Sequence, residues 1–188
     1  MPRKSNLSRE EIAQTAFQIL RTEGYDALNA RHLAQTLGVS TMPLFHNFEN
    51  MDEIKSEAVR LGVERYCEYI RAGMSEPIPF KGVGRSYIRF AKEEPKLFAL
   101  FYMTADDKVK ELPSKDPVVD EAWSIAANIM NGDRDEGGRM LQTMWILVHG
   151  IATLEATGKM NFTDEEIGNV LSKVFFALKS KMEGEKNE

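Results

Sequence analysis

The stretch Gly38–Phe48, GVSTMPLFHNF, decides the fold. Gly38 follows a short apolar face, Leu33, Ala34 and Leu37, opened by Asn29. It therefore reads as the stop of one helix, because glycine accepts the left-handed conformation that ends helices. Val39 and Leu44 then bracket Ser40 as a hydrophobic staple, which predicts that Ser40 caps a third helix. Pro43 falls at the third position of that helix, where the backbone N–H has no intrahelical partner. A helix, a three-residue turn and a second capped helix cross steeply and leave the second free to enter a groove. Yet the stretch holds neither Lys nor Arg, so its fitness to face a polyanion is in question.

The surroundings are helical throughout. Upstream, Ser8-Arg9-Glu10-Glu11 is a capping box flanked by Leu7 and Ile12. Ile12, Ala13, Ala16, Phe17 and Leu20 follow on one helix face, and Gly24 supplies the stop. Downstream, Asn50-Met51-Asp52-Glu53 repeats the capping logic and opens a longer helix reaching about Arg71. GMSEPIP breaks the chain at Gly73–Pro79, and Pro95 separates the next two helices. TADDKVKELPSKD is a polar loop, Asp116-Pro117 opens a helix, Asp133 and Glu136 cap one reaching about Thr157, and Thr163 with Glu166 caps the last. The expected fold class is all-α with about nine helices. A three-helix helix-turn-helix domain spans residues 1–50 and a larger helical bundle spans 51–188.

Bulk composition narrows the function classes. With 43% hydrophobic and 28% charged residues, the 188-residue chain has the make-up of an ordinary globular protein. No apolar run approaches the roughly 18 residues of a membrane span, and MPRKSNLSREE lacks the apolar core of a secretory signal. A single cysteine, Cys67, forms no intrachain disulfide and reads as a small buried hydrophobe. A reducing, cytoplasmic setting is expected. The net charge of −5 argues against indiscriminate coating of nucleic acid. In residues 1–50, however, Arg3, Lys4, Arg9, Arg21 and Arg31 balance Glu10, Glu11, Glu23, Asp26 and Glu49. Any contact with nucleic acid is therefore expected at the N-terminal end. Enzyme readings find no support: His32, His46 and His149 lack metal-ligand spacing with the one cysteine, and no phosphate-cradling glycine loop is present. No cofactor or metal is expected.

The run GYDALNARHLAQTLGVSTMPLFHNFENMDEI resembles the DNA-binding domain of the tetracycline-repressor (TetR) family of one-component regulators. The matching positions are Gly24-Tyr25, Arg31, Ala34, Gly38-Val39-Ser40, Leu44, Phe48 and Ile54. WILVHGIATLEATG also resembles the Trp–His–Gly signature of one group of the family's C-terminal domains. The resemblance implies a homodimer, joined through the last two helices, that binds a near-palindromic duplex operator as a repressor and is released by a small molecule. Three positions depart from the family pattern: Phe45 stands for a usual Tyr, Asn47 for a His and Met51 for a Lys. The family residues tend to contact phosphates, so the backbone grip is weakened.

Ser40, Thr41, Met42, Pro43, Phe45, His46 and Asn47 are the candidate DNA-contacting residues of the turn and third helix. Thr41 and Met42 suit a thymine methyl, and Thr41 and His46 can hydrogen-bond base edges. Arg31 and Lys55 could pair with guanine or phosphate, and Arg3-Lys4 could form an arm into the minor groove. In the second half, Tyr66, Phe101, Tyr102, Trp123, Met144, Trp145 and His149 are the candidate lining of an effector pocket, which would suit an apolar or aromatic compound. Trp145 and His149, four apart, share a helix face. Gly150, Ala152 and Ala156 permit a close helix approach, and Phe175 with Phe176 gives the last helix more apolar surface than one monomer face needs, which suits a dimer. The rival reading is a ligand-binding or protein-interaction dimer whose DNA-binding module has decayed.

Overall fold

The computed structural model describes residues 7–104, 117–129 and 134–184. Arg3, Lys4, Asp116, Asp133, the polar segment 105–116 and the side chain of Trp123 lie outside the described residues. The helices are α1 (Arg9–Glu23), α2 (Ala30–Leu37), α3 (Met51–Met74), α4 (Pro79–Glu93), α5 (Pro95–Tyr102), α6 (Pro117–Ile129), α7 (Arg134–Ala156) and α8 (Asp164–Gly184). Two 3-10 segments, Tyr25–Ala27 and Met42–His46, complete the described regular structure, and no strand occurs among the described residues. The described residues are all-α in their regular structure, as the periodicity indicated.

Fewer α-helices are described than the nine expected, and the difference begins at the third. Met42–His46 is a 3-10 segment, not an α-helix capped by Ser40. Thr41 precedes it in a helical conformation and makes no capping hydrogen bond through its side chain. Leu44 N–H donates to the Thr41 carbonyl at 3.2 Å and Asn47 N–H to that of Leu44 at 3.3 Å. These three-residue steps wind the backbone more tightly than an α-helix. Pro43 sits in the first turn, where its missing N–H costs nothing.

The chain forms two compact units that divide inside α3, between Arg65 and Tyr66. The first holds α1, α2, the 3-10 segments, the start of α3, and α5. Its capping groups act as the sequence predicts. Ser8 Oγ accepts from Glu11 N–H at 3.1 Å while Glu11 returns a 2.9 Å contact to the Ser8 N–H. Asn29 Oδ1 accepts from His32 N–H at 3.1 Å. Gly38 closes α2 at φ 69°, ψ 30°, and Val39 N–H reaches back to the Ala34 carbonyl at 3.0 Å, which satisfies carbonyls that a helix end would orphan. Ile12, Ala16, Leu20, Leu28, Leu33, Leu44, Ile54 and Ala58 form a core closed to solvent. Leu97 and Phe101 of α5 pack closely on Gly62 of α3, where a Cβ would stand 3.2 Å from Phe101 Cζ and 3.3 Å from Leu97 Cδ2.

The second unit centres on α4, which packs on α6, α7 and α8, while α7 packs on α6 and α8. The C-terminal turn of α3 crosses the first turn of α4 backbone to backbone at Gly73 and Gly82. Phe80 meets Phe175 with centroids 5.6 Å apart, and Lys81 Nζ donates to Ser172 Oγ at 3.1 Å, which fixes α4 on α8. Thr163 and Glu166 form the expected capping box of α8, with the Thr163 N–H 2.8 Å from Glu166 Oε2.

Candidate functional site

The local rules that end α2 at Gly38 also present the next segment to solvent. Leu44 and Phe48 point inward and are buried, anchoring the segment on the unit's core. Ser40, Thr41, Met42, Phe45 and His46 remain exposed, and Arg31 is exposed on α2. Pro43 and Asn47 are half-buried. Apart from Arg31, the exposed candidates are thus neighbours on one continuous element.

Arg9 holds this element in place, and sequence reasoning missed it. Its guanidinium donates to the Asn47 carbonyl at 2.7 Å and to Glu53 Oε1 at 2.7 Å, and lies 4.0 Å over the Phe48 ring. Glu53 Oε2 in turn accepts from Glu49 N–H at 2.6 Å, and Asn50 Oδ1 from Glu53 N–H at 2.9 Å. The hydrogen bonds from Glu49 N–H and then from Arg9 hold the Glu53 carboxyl below its ordinary range. One planar fork therefore ties the starts of α1 and α3 to the end of the 3-10 segment. Asn47 is likewise engaged, its amide donating to the Leu7 carbonyl at 3.0 Å. Lys55 is half-buried with Nζ 4.4 Å from the Tyr25 ring centroid.

Arg9→Ala should therefore loosen the exposed element more than it destabilises the unit. Arg9 is half exposed, and exposed ion pairs contribute at most about 1 kcal/mol. We expect near-native melting with a clear loss of DNA affinity, and no rescue by Arg9→Lys, whose single ammonium cannot bridge the same acceptors. Parallel melting and binding curves check this, and unchanged affinity would refute it.

The second unit gathers part of the candidate effector lining. Trp145 stacks on His149, with centroids 5.0 Å apart at 19°, and Tyr87 Oη lies in a hydrogen bond 2.9 Å from His149 Nδ1. Tyr66 meets Tyr87 and Phe90 edge-on at 6.4 and 5.2 Å. Met144 is buried on α7, whereas Trp145 stays 46% exposed. Phe101 and Tyr102 belong to the first unit, where Phe101 is core and Tyr102 packs on Phe98 at 5.3 Å. Tyr87 was absent from the sequence-based candidates. Its spacing of three from Phe90 places both on one helix face, which is the signal that could have found it.

Burial holds the His149 pKa below its ordinary 6.5, so the folded protein favours the neutral ring. The unfolded chain then takes up the proton first as pH falls. Stability should decline from about pH 6.5 downward until folded His149 itself protonates. The carboxylates held low, Glu53, Glu57 and Glu166, act only below 4.5. We expect His149→Gln to flatten the fall in melting temperature between about pH 7 and 5; identical slopes for the two proteins would contradict the assignment.

Among the described residues no helix is long and apolar enough to cross a membrane. The tetracyclin repressor-like C-terminal domain matches residues 80–174, about half of the chain. An uncharacterised HTH-type transcriptional regulator of Mycobacterium tuberculosis is 23% identical over 171 residues, covering 87% of this chain and 77% of that protein. The match takes in α4, α5, α6 and α7 and reaches into α8, and on this ground the chain belongs to the tetracycline-repressor (TetR) family of transcriptional regulators.

Proposed function

We propose that the protein is a ligand-responsive repressor that binds a near-palindromic operator as a homodimer. The observation that carries this reading is the exposed segment Ser40–His46, presented after a left-handed Gly38 turn and fastened by Leu44, Phe48 and Arg9. An element so placed can enter a major groove. Phosphate contacts would come from Ser40, Thr41, His46, Arg31, Lys55 and the Arg3-Lys4 arm, with backbone amides replacing missing cations. Selection of genomic fragments with the purified protein, followed by sequencing, tests the reading. A discrete enriched palindrome is expected, and only sequence-blind, salt-labile binding would sink it.

The dimer would form through α7 and α8. Ile146 and Phe176 are exposed at 62% and 67%, alongside Trp145 and Val170, an amount of apolar surface that favours a partner. A monomeric mass in sedimentation at micromolar concentration would refute this arm. The effector would be an apolar or flat aromatic molecule stacking near Trp145, with Tyr87 and His149 as polar handles, acting in the cytoplasm. It releases DNA only by preferring the form that does not bind, since equal affinity shifts nothing.

The engaged Asn47 amide and the placing of Lys55 over Tyr25 favour a second reading. In it the DNA-binding module has decayed and a ligand-binding or protein-interaction dimer remains. The same selection experiment decides between the two.

A further inference from the structure

The exposed segment carries two large apolar side chains, Met42 and Phe45, beside the polar Ser40, Thr41 and His46. Met42 is 69% exposed and Phe45 41%, while Leu44 and Phe48 beside them are buried. In a 3-10 segment residues three apart eclipse one another, so Met42 and Phe45 share one edge. Between Gly38 and Phe48 no Arg or Lys is available to grip guanine, and no Asp or Glu to accept from cytosine. The amide that could pair with adenine, on Asn47, donates to the Leu7 carbonyl. Across the major groove, the C5 methyl of thymine is the apolar group that distinguishes one base from the others.

We propose that Met42 and Phe45 read thymine methyls, so that each operator half-site places thymines of A·T pairs beneath this edge. The inference rests on the DNA-binding reading above and specifies its chemistry. Phe45 changes role in consequence: without the hydroxyl usual at its position it serves the bases and not the phosphates. Specificity then comes from apolar contact, and affinity from the phosphate contacts around it.

Uracil in place of thymine removes the methyl and leaves the base-pairing edge unchanged. With the operator recovered by genomic selection, wild-type protein should lose about fourfold in affinity for each contacted thymine replaced and about fifteenfold for two, at one salt concentration. The salt dependence should stay the same, because no phosphate contact changes. The double variant Met42→Ala/Phe45→Ala should bind thymine and uracil operators alike, with its folding checked by circular dichroism. Equal wild-type affinity for both operators overturns the proposal and leaves the regulator reading intact. Failure to recover any operator overturns both.

Discussion

Gly82→Ala is expected to lower the melting temperature of the protein by about 6–12 °C, from a loss of about 3 kcal/mol. A Cβ at residue 82 would stand 2.1 Å from the Gly73 carbonyl oxygen and 2.8 Å from Glu76 Cβ. A Cβ at residue 73 would stand 2.5 Å from the Gly82 oxygen. The nearest obstacle in each case is a backbone oxygen, and the Glu76 Cβ does not move with its side-chain torsions, so no side-chain rotation relieves the clashes and the end of α3 must part from the start of α4. Gly84→Ala is the control within the same helix. Its Cβ would meet only Val148 Cγ2 at 3.3 Å and Leu171 Cδ1 at 3.4 Å, side-chain ends that can shift by tenths of an ångström. Alanine also favours a helix interior by up to about 1 kcal/mol, so Gly84→Ala should lie near wild type. Melting within about 2 °C of wild type for Gly82→Ala would refute the crossing. The consequence reaches the effector candidates, because α4 carries Tyr87 to His149.

What the sequence made legible was local. Ser8 with Glu11, Asn29, Asn50 and Thr163 with Glu166 each satisfy backbone groups within three residues, so reading the string finds them. The same rule misled at Ser40, because staple spacing alone does not distinguish an α-helix from the tighter 3-10 winding at Thr41–Asn47. The contacts that build the sites are distant in the chain. Arg9 meets partners 38 and 44 residues away, and Tyr87 meets His149 across 62. No period or motif encodes such pairs, and they arise only when helices pack. Gly73 reads in the sequence only as the start of a breaker, whereas at Gly73 and Gly82 alike the role is the absence of a side chain at a crossing. The loss of a hydroxyl at Phe45 and of basic groups at Asn47 and Met51 was plain in the sequence. That Asn47 has become a structural donor to Leu7 required the fold.

Glu155→Ala is expected to cost about 3 kcal/mol, through the turn that joins α7 to α8. The Glu155 side chain is fully buried, and its Oε1 accepts from the Phe162 N–H at 2.6 Å. Its Oε2 lies 3.3 Å from Lys92 Nζ of α4, in ion-pair contact without hydrogen-bond geometry. Lys92 Nζ also approaches the Phe162 carbonyl at 3.4 Å. One carboxylate thus seats the turn on α4, and truncating it orphans a part-buried N–H. The two partners should not cost alike. Lys92 is 48% exposed, so Lys92→Met should cost about 1 kcal/mol, because solvent screens the lost attraction. Glu155→Gln keeps an acceptor for Phe162 but gives up the charge, and should fall between, at about 1–2 kcal/mol. Urea melts at one protein concentration measure all three, the fixed concentration being needed because α7 and α8 are the proposed dimer face. If Lys92→Met proves as costly as Glu155→Ala, the ion pair and not the bond to Phe162 seats the turn. If all three stay within about 0.5 kcal/mol of wild type, the turn needs neither contact and the order of effects argued here fails.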